Sequence, residues 1–485
     1  MCGRRTSMLF GGVSLPGRPD LENVRRLDLL PTRSILEMMR YGIAIDVDHL
    51  HEVSKRLSAE MDELRAEICS YIPPEKLDEF IGRSNLDSDE DYLPMNVEST
   101  HQLCALLFDV LGVGKSRVLK RTKGGDRVST GRRQMEQLRL EHPVVGKVLA
   151  YRERAKLKGT YADKLPRIAV AHLGGRDCPR CGLTHDGPTM RVHTQILSTR
   201  TSTGRYASKD PNLQNIPIRS QHGQDIRRGF VASPGTMIVG VDFSQIELRM
   251  LAHLAGVERM KQAFRDDKDI HTETAMMAFG ITDPDKVDKL IHRAPSKNVN
   301  FAVVFGETAL GLYEQLVSDN YGKAGIAVPG WLTLEWCEEF LQKWFGIYPE
   351  VVRYMEEQRY RACRYGLVWD LFGRIRRVPE VRSVHNRVVA AGLRQAGNMP
   401  IQGTAAELMK LVIAEVQEWV ETEVRVQGVW CQPLMTVHDE LLLEVDEDWA
   451  EVVREVVVGM FENVLRGECS VPIKADGKVM ERWEK

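Results

Sequence analysis

The apolar positions of this chain follow two rhythms, one of period two and one of helical spacing. The run Thr236 to Val241 is apolar and β-branched and predicts a strand. Ser244 then offers an N-cap and the residues after it repeat at helical spacing, so Asp242 falls at the strand tip. A second strand signal, Pro433 to Val437, meets a third, Leu441 to Val445, across the polar pair His438-Asp439. This predicts a hairpin, although it lacks the Asn-Gly or Asp-Gly of the tightest turns, and it puts Asp439 near solvent. Ser34 to Met39 opens a helix ending near Gly42, and Ile45-Asp46 leads into a long charged amphipathic helix through about residue 70. Pro73 to Pro94 is acidic and polar and reads as an insertion or loop. Within the helical stretch 256–384, Arg293-x-x-x-Lys297-x-x-x-Phe301-x-x-x-Phe305-Gly306 lays two cations and two rings along one broad helix face.

Candidate chemistry follows from these positions. Two acidic segments far apart in sequence, Asp242 with Glu247 and Asp439 with Glu440, suggest a metal site. Each also has an ordinary reading. Ser244-x-x-Glu247 matches a capping box, in which the Glu closes a helix N-terminus, and Asp439 could serve as a turn residue. The cationic and aromatic helix face shifts the balance, because cations so spaced hold a polyphosphate and rings stack on a base.

Together the three segments resemble motifs A, B and C of the family A DNA polymerases, the group of bacterial DNA polymerase I. Thr203-Gly204-Arg205 followed by Asp210 to Arg219 is similar to the segment before motif A, and Arg394 through Ala406 resembles the helix before motif C. Tyr151 to Tyr161 resembles a thumb helix, and Asn96 to Leu103 a thumb segment that grips the duplex backbone. The resemblance runs from Leu30 to the C-terminus in the family's order. It implies an α+β, right-hand polymerase architecture with an antiparallel palm sheet and mainly helical thumb and fingers. The expected divisions are an N-terminal tail over 1–30, a thumb-like region over 31–190 with insertions near 74–94 and 173–187, palm over 191–255 and 385–485, and fingers over 256–384.

The activity so implied is template-directed addition of deoxynucleotides to a primer 3′-hydroxyl, with primer-template DNA and dNTPs as partners. Two magnesium ions activate the hydroxyl and stabilise the leaving pyrophosphate, and carboxylates suit them as hard oxygen ligands. Asp242 and Asp439 would hold both, with the Phe243 carbonyl as a further ligand and Glu440 as a weak or outer one. Arg293, Lys297 and His271 would neutralise the triphosphate. Lys297 would also protonate pyrophosphate, and His271 would begin a helix where an anion is favoured. Phe301 would pack on the incoming sugar and base with Gln245 nearby, and Glu247 would block a ribose 2′-hydroxyl. Arg205, Asn398 and Gln402 are expected in the minor groove, where acceptors shared by all base pairs let geometry be checked without reading sequence. Arg394, Phe305, Gly306 and His438 complete the primer and template contacts.

Composition agrees. Lys and Arg total 66 against 68 Asp and Glu, so a net charge of −2 gives no global attraction to a polyanion and affinity must come from local patches. One is the Gly-interrupted stretch from Lys115 to Arg133, read as a phosphate-contacting loop with a plain solvated loop as the alternative. Most of the nine cysteines are scattered, which argues for a reducing compartment and a cytoplasmic location, with an organelle as the alternative since the first nineteen residues carry Arg4, Arg5 and Arg18 and no acid, and no apolar run reaches a membrane span. The exception is Cys178-x-x-Cys181, which with His172 and His185 could bind zinc, the alternative being a Gly-rich turn. The expected protein is a monomer. Fewer than about forty residues precede the thumb-like region, whereas a nuclease domain needs on the order of 100, so any editing would come from a separate exonuclease or replisome protein.

Two other functions compete: a single-subunit RNA polymerase, disfavoured by Glu247 and Gln214-Asn215-Ile216-Pro217, and a non-catalytic duplex-binding protein. The chain also departs from the family pattern. Pro295 requires the fingers helix to start nearby or kink, at about 3 kcal/mol for an interior proline. Phe243 and Phe305 stand where tyrosine is common. Phe305 lacks the hydroxyl that in the family bonds the sugar-gating glutamate, so looser sugar selection is expected unless Ser244 or a water positions Glu247.

Overall fold

Four strands carry the acidic segments. In chain order they are β1 (Thr236–Phe243), β2 (Cys431–Val437), β3 (Glu440–Asp446) and β4 (Ala475–Met480), and they lie antiparallel in the order β4-β1-β3-β2. The register sets Asp242 opposite Glu440 on one side and Asp476 on the other. β2 is buried along its whole length, and its register slips between Leu442 and Leu443, beside Pro433. A residue with no N–H is tolerated at a bulge on an edge strand. The helix Ala450–Asn463 covers one face, where the Phe461 ring lies 4.5 Å from that of Phe243. The computed structural model describes residues 9–84, 95–115, 121, 128–139, 141–172, 189–218, 220–322 and 328–484.

Contacts divide the chain into two units, the first made of described parts of Met1–Ile45, Val170–Asn215 and Phe230–Glu484, the second of Asp46–Ala169 and Ile216–Gly229. Residues 31–45, 170–172 and 189–190, grouped from sequence with the thumb-like helices, contribute to the first unit. There Ile43–Ile45 and Val170–His172 flank Thr189–Val192 in an antiparallel sheet. The first unit also holds the 34-residue helix Asn386–Trp419, buried at every position from Gly403 to Ala414, as a helix inside a large core must be. In the second, the expected long helix spans Val47–Ser70 and is capped by Asp46, which accepts from the His49 N–H at 2.9 Å. The helix Gln221–Arg227 joins it through an Arg56–Asp225 ion pair and a 2.8 Å contact between His222 Nε2 and Glu60. Among the described residues no helix is long and apolar enough to cross a membrane.

Two expectations from sequence are corrected. The predicted tail over 1–30 is docked from Leu9 onward. Leu9, Val13 and Leu27 sit in the core, and Asn23 Nδ2 donates to the carbonyls of Ser14 and Phe372 at 2.9 and 2.8 Å. A Gly-rich segment that cannot form a core can still bury a few apolar side chains in one supplied by distant chain. The predicted loop over 74–94 includes the helix Leu77–Ser84, whose Phe80 is fully buried among Ile68, Leu103 and Val148; residues 85–94 lie outside the described residues. Phe80→Ala should therefore cost about 3–5 kcal/mol in chemical denaturation, as buried aromatic truncations do. An unshifted midpoint would return the segment to a surface loop.

Candidate active site

The sheet tip joins the two acidic segments. The Phe243 N–H donates to the Asp439 carbonyl at 3.1 Å, so Asp242 and Asp439 are borne by adjoining backbone. His438 and Asp439 form the predicted two-residue turn between β2 and β3, and His438 takes the left-handed conformation (φ 55) that such hairpins require. Gln245, just past β1, is left-handed too (φ 52). Two non-glycine residues held there, each at a cost of order 1–3 kcal/mol, flank the carboxylates.

Glu247 is not used as a helix cap. The helix Ile246–Ala255 begins after Gln245, with no side-chain cap, and Ser244 N–H donates instead to the Lys474 carbonyl at 2.8 Å. The left-handed turn at Gln245 displaces Ser244 from the N-cap position, so the capping box does not form. Glu247 pairs with Arg205. Arg205 Nη2 lies 2.7 Å from Glu247 Oε1 and 3.6 Å from Asp439 Oδ1. Burial pushes the Glu247 carboxyl above its ordinary value, Arg205 opposes that, and Asp439 adds to it.

Arg205 is itself held by a part of the molecule with no sequence signal. Its neighbour Gly204 (φ 80) leaves no room for a side chain: a Cβ would lie 2.7 Å from Arg374 Nε and 2.9 Å from Glu407 Oε1. Arg374 pairs with Glu407 and with Asp28 (2.5 Å), and Lys410 reaches Asp28 at 2.7 Å. Glu407 and Lys410 are fully buried, so the loop bearing Arg205 is pinned to an ionic cluster that tolerates no slack. Glu440 is buried opposite Asp242, and its Oε1 accepts from Trp483 Nε1 at 3.4 Å. Exposed Asp476, on β4 opposite Asp242, also carried no signal.

A second cluster forms on the fingers-like helices. A wider turn, Lys289–Arg293, runs into the helix Ala294–Phe305 with Pro295 in its first turn, where a missing N–H costs little. Arg293 Nε lies 2.7 Å from Asp269 Oδ2. Asp269 caps the helix Ile270–Phe279, accepting from the N–H groups of His271 and Thr272 at 3.3 Å. The helix end expected to favour an incoming anion is therefore already closed by a carboxylate of the chain. Burial raises Asp269, but Arg293 and Thr272 outweigh it and hold the group below its usual range. His271 is 2% exposed, 5.7 Å from the Phe301 ring. Burial lowers its imidazole to about 4, with Asp269 opposing and Arg293 and Lys297 assisting. Lys297 and Phe301 are half-buried on the same helix.

Gly306 (φ 65) ends that helix so close to Arg394 that a Cβ would lie 3.1 Å from its Cβ and Cγ, which brings these two predicted positions together. Asn398 and Gln402, four apart on the helix Asn386–Trp419, share a face; Asn398 Oδ1 and Gln245 Oε1 are buried acceptors with no donor among the described residues. The Phe305 side chain lies outside the described residues, as do 116–120 and 122–127 of the basic stretch. Of the zinc candidates, His172 ends the strand Val170–His172, and Cys178, Cys181 and His185 lie outside the described residues. Among the described residues no group of three or more His, Cys, Asp or Glu gathers as a metal site.

Comparison with known proteins bears on this geometry. The family model for DNA polymerase family A matches residues 47–485. A thermostable DNA polymerase I from Thermus filiformis is 39% identical over 452 residues, 93% of this chain and 47% of that protein. Its counterpart from Thermus aquaticus is 37% identical over 454 residues, with the same shares covered. The chain thus spans about half the length of the curated relatives it matches. Among solved structures, the POL domain of Pol1 from M. smegmatis, in complex with DNA primer-template and dNTP, superposes with a TM-score of 0.75 at 27% identity, covering 95% of this chain and 72% of that one.

Proposed function

Because the chain belongs to DNA polymerase family A, we propose that it adds deoxynucleotides to the 3′-hydroxyl of a DNA primer as a template directs. The observation that carries this reading is the Arg205 bridge, which ties Glu247, suited to exclude a ribose hydroxyl, to the turn that bears Asp439. Primer-template DNA and a dNTP, present with the M. smegmatis domain, are the substrates.

Asp242 and Asp439 fit a magnesium site. Magnesium is commonly held by one or two carboxylates, with substrate phosphates and water completing the shell, so two acids on adjoining backbone suffice. Bound there, with the Phe243 carbonyl beside them, the ions would lower the pKa of the primer hydroxyl and neutralise charge on the leaving pyrophosphate. Glu440 buttresses Asp242 from across the sheet. Arg293 and Lys297 attract the triphosphate, His271 donates to it, Phe301 packs against sugar and base, and Lys297 returns a proton to pyrophosphate. Asn398 and Gln402 present their amides to the minor groove, beside Arg394.

Purified chain given primer-template, dNTPs and magnesium should extend the primer and stop on chelation; extension by ribonucleotides alone would instead identify an RNA polymerase. Arg205→Ala should lower the ratio of kcat/KM for dATP over that for ATP by on the order of tenfold or more, since a hydrogen bond to a charged group contributes about 1.5–3 kcal/mol. An unchanged ratio would mean that Glu247 is positioned by something else.

A further inference from the structure

Asn300 precedes Phe301 in the helix Ala294–Phe305 and is fully buried with Thr274, Trp344 and Tyr348. Its neighbours dictate which way its amide faces. Trp344 Nε1, which can only donate, lies 2.7 Å from Oδ1. Reversing the amide would set N–H against N–H in a site closed to water. Nδ2 therefore donates its two hydrogens, one to His271 Nδ1 at 3.0 Å and one to Thr274 Oγ1 at 3.1 Å. Thr274 can accept there because its own proton goes to the Ile270 carbonyl at 2.7 Å, and the Tyr348 hydroxyl at 3.2 Å takes its remaining lone pair. His271 Nδ1 must then carry a lone pair.

We propose that Trp344 and Asn300 form a relay that fixes His271 as the neutral tautomer protonated on Nε2, so that the ring offers nucleotide phosphates a hydrogen-bond donor without a third positive charge. Arg293 and Lys297 already supply charge. A further cation would bind product pyrophosphate as firmly as substrate, whereas a neutral donor adds direction without that cost. The charged groups facing His271 are Asp269, which caps its own helix, Arg293 at the end of the wider turn, and Lys297 on the helix that follows it. Burial and the two cations disfavour protonation, in the same direction as the relay. Asn300 and Trp344 act as positioning residues. The tautomer stands on hydrogen bonding alone, and only the identity of its ligand rests on the polymerase reading.

The test is nitrogen NMR of the full chain labelled on histidine, with His271 assigned by its loss in His271→Gln. The wild type should show Nδ1 unprotonated and Nε2 protonated, with no change between about pH 5 and pH 8. Asn300→Asp turns a carboxylate toward Nδ1, so an imidazolium should appear within that range and the KM for dATP should become pH-dependent while kcat changes little. Trp344→Phe keeps the packing but removes the donor that orients the amide. It should give mixed tautomers and a severalfold higher KM. A proton on Nδ1 in the wild type, titration near the ordinary histidine value, or a Trp344→Phe spectrum identical to wild type would overturn the relay. No nucleotide is needed for the spectrum. The expected tautomer in a protein that cannot extend primers would leave the relay standing and remove its ligand, whereas active protein with Nδ1 protonated would remove the relay alone.

Discussion

Asp242→Ala or Asp439→Ala is expected to slow primer extension by about four powers of ten while leaving DNA affinity nearly unchanged. The two residues hang on adjoining backbone, tied by the Phe243 N–H to the Asp439 carbonyl. If the two carboxylates hold both ions, as proposed, losing one forfeits about 5 kcal/mol of transition-state stabilisation, which is the stated rate loss. Single-turnover extension with a filter-binding control measures both quantities. A variant retaining a tenth of the parent rate would show that the carboxylate is not a ligand.

Glu444→Ala should destabilise the first unit by about 3–5 kcal/mol. Glu444 lies on β3, and both it and Arg191 are fully buried, 3.1 Å apart; its other oxygen accepts from the Ser233 N–H at 2.8 Å, and Tyr41 adds a further hydrogen bond. Removing the acid strands a buried guanidinium, which is the costly way to break such a pair. The double variant Arg191→Met with Glu444→Leu should recover much of the loss, because two apolar groups leave no charge unpaired. Burial raises the Glu444 carboxyl, but Arg191, Tyr41 and Ser233 together bring it below its ordinary value. A depressed folded-state pKa means that this stabilisation is fully present above the unfolded value, near 4.3, and fades as pH falls through the folded one. Denaturant midpoints followed downward from neutral pH should therefore converge for parent and double variant, and a constant gap would contradict the assignment.

What was legible in the sequence was whatever local periodicity encodes. The strand before Asp242, the hairpin at His438-Asp439 and the helix Val47–Ser70 each carry their pattern within a dozen or so residues, so short-range reading sufficed. Pro295 likewise marked the start of its helix. The failures share a cause, which is that partners distant in sequence decided the outcome. Leu9 and Val13 look like tail residues until the rest of the chain supplies a core, and Phe80 sits in a polar stretch whose helix exists because other helices bury that ring. The same holds at the site. Ser244-x-x-Glu247 fits a capping box by spacing, yet the left-handed backbone at Gln245 and the charge of Arg205 redirect Glu247. Arg374, Glu407, Lys410 and Asp28 could not be found as a set by any spacing rule, since their association is purely tertiary.

The most direct test of the central claim is single-nucleotide incorporation by the purified chain on four primer-templates that differ only in the templating base, with each dNTP offered alone in magnesium. Efficient addition of the complementary deoxynucleotide alone on each template, lost in Asp242→Ala, is the result a template-directed DNA polymerase must give. Bound primer-template with no addition, or addition indifferent to the templating base, would contradict it.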